Sequence, residues 1–274
     1  MFSYEGKKTI VTGSGRGIGR ATALAFAGQG ADVVLASRTE SELEAVAEEI
    51  RALGRKAWVF PSDMSQMDDG LALIDKANEA MGGIDVLVNN AGGGSSVKGG
   101  IGPLEEATPE VFDGLYRLNV MVPFFMAQSA ARVMAERGGG AILNIVSIDG
   151  TFPTPGEGLY GSAKAALISL TATLAVELGR HNIRINAIAP SLIDTQLVAR
   201  HLKTEEQRAD RASFFPINRV GRAEDIAGAA VYFCSDEAGW TSGETMLVAG
   251  GTKTPADLFR WLRRVNPVPE DSKI

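Results

Sequence analysis

The stretch Thr12-Gly13-Ser14-Gly15-Arg16-Gly17-Ile18-Gly19 lies between a short apolar run, residues 8–12, and a segment with helical spacing, residues 16–27. The run predicts a strand and the spacing predicts a helix. Glycines in such a turn permit positive φ and let the backbone approach a phosphate closely. The start of the helix adds free N–H groups and partial positive charge. The loop therefore predicts a dinucleotide site, although it departs from G-x-G-x-x-G spacing. A flavin, a methyl donor or a purely structural turn remain alternatives at this point.

The same order of strand and helix repeats along the chain. Strands are predicted at residues 8–12, 32–36, 57–60, 84–88, 141–146, 183–188 and 245–248, and helices at 16–27, 40–53, 68–81, 108–137, 159–178 and 222–234. Near-continuous apolar strands that alternate with helices predict an α/β fold, a single-domain, doubly wound (Rossmann-type) parallel sheet of about seven strands with helices on both faces. We assign residues 1–251 to this domain and 252–274 to a C-terminal extension. The Gly-rich segment 92–103 and the helical segment 192–219 escape the alternation, and we expect them to cover a ligand.

Composition excludes several classes of function. The chain has 274 residues, 27 of them basic and 33 acidic, for a net charge of −6. This balance disfavours nucleic acid or an anionic membrane as partner. No His and carboxylate cluster has metal-ligand spacing, and neither histidine lies beside a serine at a strand end, so a metal site and a Ser-His-Asp hydrolase are disfavoured. The 32 glycines are the compositional excess, and ten of them lie in the two glycine-rich loops at residues 12–19 and 92–103.

The ends and the single cysteine predict a cytoplasmic protein without disulfides. Cys234 is the only cysteine, and its apolar neighbours predict a buried, inert thiol. The N-terminal residues hold no apolar core of signal-peptide length, and no uninterrupted apolar run reaches the roughly 18 residues of a membrane span. The final Ser272-Lys273-Ile274 is one residue from the peroxisomal Ser-Lys-Leu signal, which makes the peroxisome the alternative location.

With these motifs in order, the chain resembles the short-chain dehydrogenase/reductase family over residues 6–251. The glycine loop fits T-G-x-x-x-G-x-G, and Asn89-Asn90-Ala91-Gly92 follows the fourth strand. Ser147 follows the fifth strand, and Tyr160-Gly161-Ser162-Ala163-Lys164 supplies Y-x-x-x-K. Pro190 to Thr195 reads P-x-x-I-x-T after the sixth strand. Each motif alone is weak, but their order along one chain is specific.

The end of the second strand indicates which nicotinamide cofactor binds. An NAD site usually has Asp or Glu there, whereas this chain has Ser37-Arg38. Arg38 with Arg16 is expected to clamp a 2′-phosphate, so NADP(H) is predicted in preference to NAD(H), unless both arginines are merely solvated. The resemblance implies that Asp63 meets the adenine, Asn90 the adenosine ribose region, and Ile193 and Thr195 the nicotinamide. The full predicted cofactor set is Gly13, Ser14, Arg16, Gly17, Ile18, Ser37, Arg38, Asp63, Met64, Asn90, Gly92, Tyr160, Lys164, Ile193 and Thr195.

Four residues are predicted to perform the chemistry. Tyr160 and Lys164 lie four apart on one helix face, and an ammonium beside the phenol favours the phenolate and thus lowers its pKa from about 10. The resemblance implies that Tyr160 exchanges a proton with the substrate oxygen and that Ser147 hydrogen-bonds the same oxygen. It also implies that Lys164 binds the nicotinamide ribose and that Asn119 holds a water in a proton relay.

The sequence favours a small hydrophobic ketone or secondary alcohol as substrate. The predicted wall, in residues 93–103, 148–159 and 192–215, includes Phe152, Pro153, Leu159, Leu192, Val198, Phe214 and Phe215. The run from Asn89 to Gly94 is similar to that of some bacterial hydroxysteroid dehydrogenases, so a steroid-like or other alicyclic substrate is preferred. Reduction of a 3-oxoacyl thioester is the alternative. A non-catalytic NADP(H)-binding regulatory protein is a further alternative, which intact Ser147, Tyr160 and Lys164 disfavour.

Three features depart from the common family pattern. Ser191 stands where glycine is usual, and Ala249-Gly250-Gly251 replaces Asp-Gly-Gly. The extension carries apolar Leu258, Phe259, Trp261 and Leu262. Because family members are commonly tetramers with C-terminal segments at one interface, the chain is expected to form a homo-oligomer, a tetramer or dimer. The extension is expected either at that interface or over its own subunit.

Overall fold

The computed structural model describes residues 2–196, 198–199 and 202–252. A seven-stranded parallel sheet in the order β3-β2-β1-β4-β5-β6-β7 runs through the described part of the chain. The α/β, doubly wound fold predicted from the sequence is confirmed. The strands are β1 (Lys8–Thr12), β2 (Asp32–Ala36), β3 (Ala57–Val59), β4 (Val86–Asn89), β5 (Gly140–Ile145), β6 (Ile183–Pro190) and β7 (Thr245–Val248).

Helices cover both faces of the sheet. They are α1 (Gly17–Gly28), α2 (Glu40–Ala52), α3 (Met67–Met81), α4 (Pro109–Tyr116), α5 (Val122–Glu136), α6 (Gly158–Leu178), α7 (Glu205–Ala212) and α8 (Ala223–Cys234). Consecutive strand residues point to opposite faces, so Val11 packs with α1, α2 and α8, whereas Ile10 packs with α3, α5 and α6. Two large apolar cores, one on each face, pack the sheet against its helix layers, and each fully buried Leu, Ile or Phe contributes roughly 1.5–3 kcal/mol.

The chain reverses its strand order between β1 and β4. From β1 the sheet extends to β2 and β3 on one side and to β4 and the later strands on the other. Thr9 to Val11 therefore pair with Val33 to Leu35 on one edge and with Val86 to Val88 on the other. In open parallel sheets, ligands bind beyond the carboxyl ends of the strands at this reversal.

The prediction of one continuous helix at residues 108–137 is wrong. A π-helical turn at Arg117–Met121 separates α4 from α5. Pro123 explains the break, because proline has no N–H and its ring crowds the carbonyl four residues earlier, that of Asn119. The other predicted elements were right to within a few residues, and Thr108 caps α4, with its side chain accepting a hydrogen bond from the Val111 N–H.

One helix meets the length and composition test for a membrane span. Residues 158–181, α6 with the turn that follows it, are long and apolar enough by that test alone. The buried Leu167, Leu174 and Ala175 of α6 pack in the core, and α6 lies against β6. Core helices of this kind pass the same test, so it is weak evidence for a span. Cys234 is buried as predicted, and burial raises the pKa of its thiol to about 12.

The two segments outside the alternation lie near the carboxyl ends of the strands. The segment at 92–103 has no helix or strand, and a short 3-10 turn, Leu104–Glu106, follows it. The segment at 192–219 contains α7, which begins at a capping box formed by Thr204 and Gln207. A single β-bridge between Ile193 and Gly221 closes its base. Apart from Thr252, the predicted C-terminal extension and its apolar residues lie outside the described residues.

Candidate active site

A cavity of about 1080 Å³ opens at the carboxyl edge of the sheet. This volume is at the upper end of the 300–1,000 Å³ typical of small-molecule sites, as expected for a dinucleotide with a second molecule. It brings together most of the predicted residues: Gly13, Arg16, Gly17, Ile18, Ser37, Arg38, Asp63, Met64, Asn90, Gly92, Ser147, Tyr160, Lys164, Ile193 and Thr195. Two predicted residues, Ser14 and Asn119, do not line it.

The glycine loop has the shape that a bound phosphate requires. Gly13 has φ of +65°, and a side chain there would come within 2.8 Å of the Asn90 amide nitrogen. A side chain at Gly19 would collide with the carbonyl of Gly13. The α1 helix has no acidic residue in its first turn and no side-chain cap. Its first N–H groups and its positive end are thus available to an anion, so the residues present fit a pyrophosphate.

Asn90 and Ser14 support this loop from behind. The Asn90 amide donates to the Thr12 carbonyl over 2.8 Å, and the Thr12 hydroxyl accepts from the backbone N–H of Asn90 over 3.0 Å. The buried Ser14 hydroxyl accepts from the Ala36 N–H over 3.0 Å. Ser14 therefore fastens the loop to the end of β2, and its side chain faces the sheet instead of the cavity.

The end of β2 carries two polar groups that face the cavity without a partner in the described part of the chain. The Ser37 hydroxyl is buried and makes no hydrogen bond there, and the exposed Arg38 lines the cavity without an ion pair to any described residue. A buried hydroxyl without a partner costs free energy. The pair therefore suits a polar ligand, and a phosphate would satisfy both groups.

Glu42 is a cavity residue that the sequence reasoning missed. It lies in the first turn of α2, and its carboxylate is 3.8 Å from the Arg16 guanidinium. Arg16 also donates to the Gln196 side chain over 3.2 Å. The predicted clamp of Arg16 and Arg38 therefore includes a carboxylate. The signal was present in the helical phase of α2, which turns Glu42 toward the glycine loop.

Asp63 and Met64 follow β3 and line the same region. The Asp63 carboxylate accepts from the Ser65 N–H over 3.0 Å, and the Asp63 N–H donates to Asp69 over 2.9 Å. These bonds fix the turn in which Asp63 sits. Met64 is buried at 5% exposure, so it provides an apolar surface beside the polar Asp63 turn.

The three candidate catalytic side chains converge at the other end of the cavity. Ser147 follows β5 and caps a 3-10 turn, Ile148–Gly150. Tyr160 and Lys164 lie on α6, with the Lys164 ammonium 5.7 Å from the centre of the Tyr160 ring. That ammonium donates to the Ile145 carbonyl over 3.0 Å. Lys164 is held by backbone and buried at 3% exposure, so its position is closely defined.

Two glycines allow the Ser147 turn and α6 to approach this closely. A side chain at Gly150 would come within 2.9 Å of the backbone of Lys164 and Ala165. A side chain at Gly161 would come within 2.5 Å of the Asp149 carbonyl. Such distances to backbone atoms are too short for a Cβ atom, so both positions need glycine for the catalytic groups to meet.

The charges around Tyr160 differ from those expected from the sequence. Burial raises the pKa of Tyr160, the negative charges of Asp149 and Glu157 raise it further, and a hydrogen bond with Ser147 lowers it. The protein's own residues therefore raise the pKa of Tyr160 instead of lowering it toward neutrality. Burial also lowers the pKa of Lys164 to about 8, which weakens the cation expected to stabilise the phenolate.

Asp149 lies in the predicted wall segment 148–159 and lines the cavity, but the sequence reasoning gave its carboxylate no role. The Ser147 hydroxyl donates to one oxygen of the Asp149 carboxylate over 2.8 Å. The Thr154 hydroxyl donates to the other oxygen over 2.6 Å. Asp149 lines the cavity two residues beyond the candidate catalytic serine. Its position depends on the turn after β5, for which the sequence pattern carried no signal.

Asn119 lies behind the cavity, in the π-helical turn. Its side-chain oxygen accepts from the Gly93 N–H over 3.0 Å, and its amide donates to the Leu115 carbonyl over 3.0 Å. A side chain at Gly92 would lie 2.7 Å from the Asn119 oxygen and 3.2 Å from the Lys164 nitrogen. Asn119, Gly92 and Lys164 therefore converge, which is the arrangement that the proposed relay would need.

The wall beyond the catalytic groups is mixed instead of uniformly apolar. Of the predicted apolar residues, all but Leu159 line it: Phe152, Pro153, Leu192, Val198, Phe214 and Phe215. Polar residues share the wall: Ser95, Ser96, Asp149, Thr154, Glu157 and Arg211. Within the described ranges, no group of His, Cys, Asp or Glu is arranged to hold a metal ion.

Comparison with known proteins identifies a family and relatives that are similar to this chain. The family described as enoyl-(acyl carrier protein) reductase matches residues 13–253. The 7α-hydroxysteroid dehydrogenase of Escherichia coli K12 is 38% identical over 248 residues, which cover 90% of this chain and 94% of the relative.

Two solved structures have the same fold with a bound nicotinamide cofactor. A 7α-hydroxysteroid dehydrogenase complexed with NADH and 7-oxo glycochenodeoxycholic acid superposes with TM-score 0.84 at 37% identity and covers 91% of this chain and 95% of that one. A 3-oxoacyl (acyl-carrier-protein) reductase from Agrobacterium tumefaciens C58 with NADP bound superposes with TM-score 0.85 at 32% identity, with coverages of 91% and 95%.

Proposed function

The chain belongs to the short-chain dehydrogenase/reductase family, an oxidoreductase family that binds nicotinamide cofactors and acts on CH–OH or C=O groups, and from this premise we propose that it is an NADP(H)-dependent enzyme for a hydrophobic, steroid-like or other alicyclic ketone or secondary alcohol. The convergence of Ser147, Tyr160 and Lys164 with the glycine loop on one cavity carries this proposal. A protein that only sensed NADP(H) would not need these three side chains.

Each catalytic residue has a defined task in the proposed reaction. When bound, the nicotinamide supplies or accepts the hydride. Tyr160 gives its proton to the carbonyl oxygen in reduction and accepts it in oxidation. Ser147 donates a hydrogen bond to the same oxygen and stabilises its developing charge. Lys164 holds the ribose hydroxyls and favours the phenolate, and Asn119 connects Lys164 to solvent through water.

The preference for NADP(H) is supported by the end of β2. The Ser37 hydroxyl has no partner among the described residues, and Arg38 beside it is an exposed guanidinium on the cavity. A 2′-phosphate would accept hydrogen bonds from both. One solved relative holds NADH and another holds NADP, so the proposed preference rests on these two side chains.

The substrate proposal is supported by the apolar half of the wall and by likeness to the hydroxysteroid dehydrogenase. Phe152, Phe214 and Phe215 supply flat apolar surface for a ring system. The second candidate, a 3-oxoacyl thioester, is favoured by likeness to the NADP-bound reductase. Both substrates present a carbonyl to Tyr160, so they differ only in what the wall must accept.

The proposal extends to assembly and location. Phe112, Met121, Phe125 and Val176 are large apolar side chains exposed at 36% or more on α4, the π turn, α5 and α6. We propose that they pack against further copies of the chain in a homo-oligomer, a tetramer or dimer, and that the protein works in the cytoplasm. Light scattering that finds a monomer at micromolar concentration would contradict the oligomer.

The test is oxidation of NADPH with a panel of alicyclic ketones, steroid ketones and one 3-oxoacyl thioester, beside the Tyr160→Phe variant. We expect turnover of the cyclic ketones and a loss of at least about 10²-fold in the variant, because proton transfer contributes that much to such reactions. Thioester turnover above that of every cyclic ketone would favour the second candidate. Tight NADPH binding without turnover of any substrate would contradict the proposal that the protein is an enzyme.

A further inference from the structure

Asp149 forms a hydrogen-bonded cluster at the reacting end of the cavity. Its two carboxylate oxygens accept from Ser147 over 2.8 Å and from Thr154 over 2.6 Å. The Asp149 N–H also donates back to the Ser147 oxygen over 3.2 Å. The cluster is part-buried and lines the cavity, so a substrate that reaches Ser147 also reaches Asp149.

This cluster conflicts with the role proposed for Ser147. A serine hydroxyl has a single proton, and here that proton is directed at a carboxylate. A hydrogen bond to a charged oxygen is stronger than one to a neutral carbonyl. A simple ketone must therefore compete with Asp149 for the Ser147 proton. If the ketone wins, it leaves a part-buried carboxylate oxygen without that donor, which costs free energy.

We propose that Asp149 is a specificity-determining residue that accepts a hydrogen bond from a hydroxyl on the carbon next to the reacting carbon, so that the preferred substrates are 2-hydroxy ketones and the matching vicinal diols. The inference rests on the proposed function of Ser147 and Tyr160, and it narrows the substrate class at that same site. The substrate hydroxyl replaces Ser147 as the donor to Asp149. The Ser147 proton then turns to the substrate carbonyl.

The distances suit such an exchange. The Ser147 and Asp149 oxygens are 2.8 Å apart, and the two oxygens of a 2-hydroxy ketone are separated by about one hydrogen-bond length, roughly 2.7–2.8 Å. The two substrate oxygens can therefore lie opposite the Ser147 and Asp149 oxygens, with Ser147 donating to the carbonyl and the substrate hydroxyl donating to Asp149. Both protons then have an acceptor, and the carboxylate keeps two donors, the substrate hydroxyl and Thr154.

The surrounding charges favour a donor at this position over an anion. Asp149 and Glu157 both lie on the cavity wall beside Tyr160, and their charges act on it. The buried cation, Lys164, donates to the Ile145 carbonyl. An acidic substituent next to the reacting carbon would meet two carboxylates, whereas a hydroxyl would find an acceptor.

The experiment compares 2-hydroxycyclohexanone, 2-methoxycyclohexanone and cyclohexanone as substrates for NADPH oxidation. The methoxy compound has the same ring and oxygen but no proton to donate. For the native protein we expect kcat/KM about tenfold or more higher for the hydroxy than for the methoxy ketone, because a hydrogen bond to a charged group is worth about that factor. This arm needs no variant, so it remains valid if a substitution impairs folding.

The variant arm uses Asp149→Asn. We expect the preference for the hydroxy ketone to fall to about threefold or less, chiefly through a higher KM, while cyclohexanone turnover stays level or rises because Ser147 is released. Glu157→Gln is the control, since it removes an equal charge from the same wall and leaves the Asp149 carboxylate and its bond from Ser147 in place. We expect it to retain the native preference.

Three results would overturn the inference. They are equal use of hydroxy and methoxy ketones by the native protein, an unchanged preference in Asp149→Asn, and an equal loss on all three ketones in that variant. An equal loss on all three ketones would mean that Asp149 only positions Ser147 and does not contact the substrate hydroxyl. Failure of the proposed function is distinguishable, because then no ketone is turned over and Tyr160→Phe changes nothing.

Discussion

The two ends of the cavity are built in different ways. At the reacting end, Lys164 is 3% exposed and bonded to the Ile145 carbonyl, and Ser147 is 8% exposed and bonded to Asp149. At the other end, Arg38 is exposed and the Arg16 side chain is 56% exposed. Proton transfer needs groups fixed by backbone, whereas recognition of a phosphate needs only charge within reach. The first end should therefore respond to substitution far more strongly than the second.

Lys164→Met is the largest expected effect and tests the reacting end. We expect a loss of at least about 10²-fold in kcat, because Tyr160 loses its cation and the ribose its partner. The free energy of unfolding of the variant should instead be higher than that of the native protein at neutral pH. Burial lowers the pKa of Lys164 to about 8 from 10.5, so the folded state disfavours its charge.

The stability gained in Lys164→Met should depend on pH in a defined direction. Between pH 8 and 10.5 the unfolded chain holds more protons at Lys164 than the folded one, so native stability rises with pH across that window. The gain from Lys164→Met should be greatest below pH 8 and shrink above it. Urea unfolding of both proteins from pH 6.5 to about 10 measures it. A gain that does not change with pH would mean that Lys164 is fully charged throughout that range.

The sequence predicted the reacting residues because strand ends and helical spacing fix their positions. Ser147 follows β5 by two residues, and Tyr160 and Lys164 lie one turn apart on α6, so their meeting follows from the fold. The same logic failed for Asp149, since a turn of irregular backbone places it. The pKa of Tyr160 was misjudged for that reason, because Asp149 and Glu157 were not expected beside it.

At the end of the cavity that holds Arg16 and Arg38, the sequence identified the cations but not the carboxylate beside them. Ser37 and Arg38 follow β2, so their place on the cavity was predictable. Glu42 was missed because its approach to Arg16 depends on the phase of α2 relative to the glycine loop. Ser14 does not line the cavity, because the tight turn points its hydroxyl toward β2. Pro123 was the available signal for the π-helical break that holds Asn119, and it was overlooked.

Arg38→Ala is the intermediate effect and tests the charged end. We expect kcat/KM with NADPH to fall about 10- to 100-fold, as for the loss of one hydrogen-bonded ion pair to phosphate. Use of NADH should change by less than about threefold, since the 2′-hydroxyl offers no charge to Arg38. Steady-state kinetics with both cofactors on one ketone measures the change.

The matched control for this substitution is Arg20→Ala. Arg20 is a half-exposed arginine on the neighbouring helix α1, paired with Glu49 at 2.6 Å, and it does not line the cavity. The Arg20→Ala substitution should leave the ratio of kcat/KM with NADPH to kcat/KM with NADH unchanged. If Arg38→Ala behaves like this control, the cavity does not select NADP(H) through Arg38.

Glu42→Gln has the smallest expected effect, and it should raise kcat/KM with NADPH where Arg38→Ala lowers it. The Glu42 carboxylate is 3.8 Å from Arg16 on a side chain that is 34% exposed, so solvent screens much of its charge. Its removal should free Arg16 and reduce repulsion of a 2′-phosphate, which raises kcat/KM with NADPH about two- to fivefold, the equivalent of less than about 1 kcal/mol. Glu40→Gln is the control, because it removes an equal charge from the same helical turn at a residue that does not line the cavity.

The direction of the Glu42→Gln effect decides what that carboxylate does. A gain with NADPH that shrinks at high salt means that Glu42 acts through its charge. A loss with NADH, with no gain for NADPH beyond that of Glu40→Gln, would instead make Glu42 the acceptor for a ribose hydroxyl. In that case the charged end would be built for NAD(H), with Arg16 held by Glu42 and Gln196 and Arg38 left to solvent.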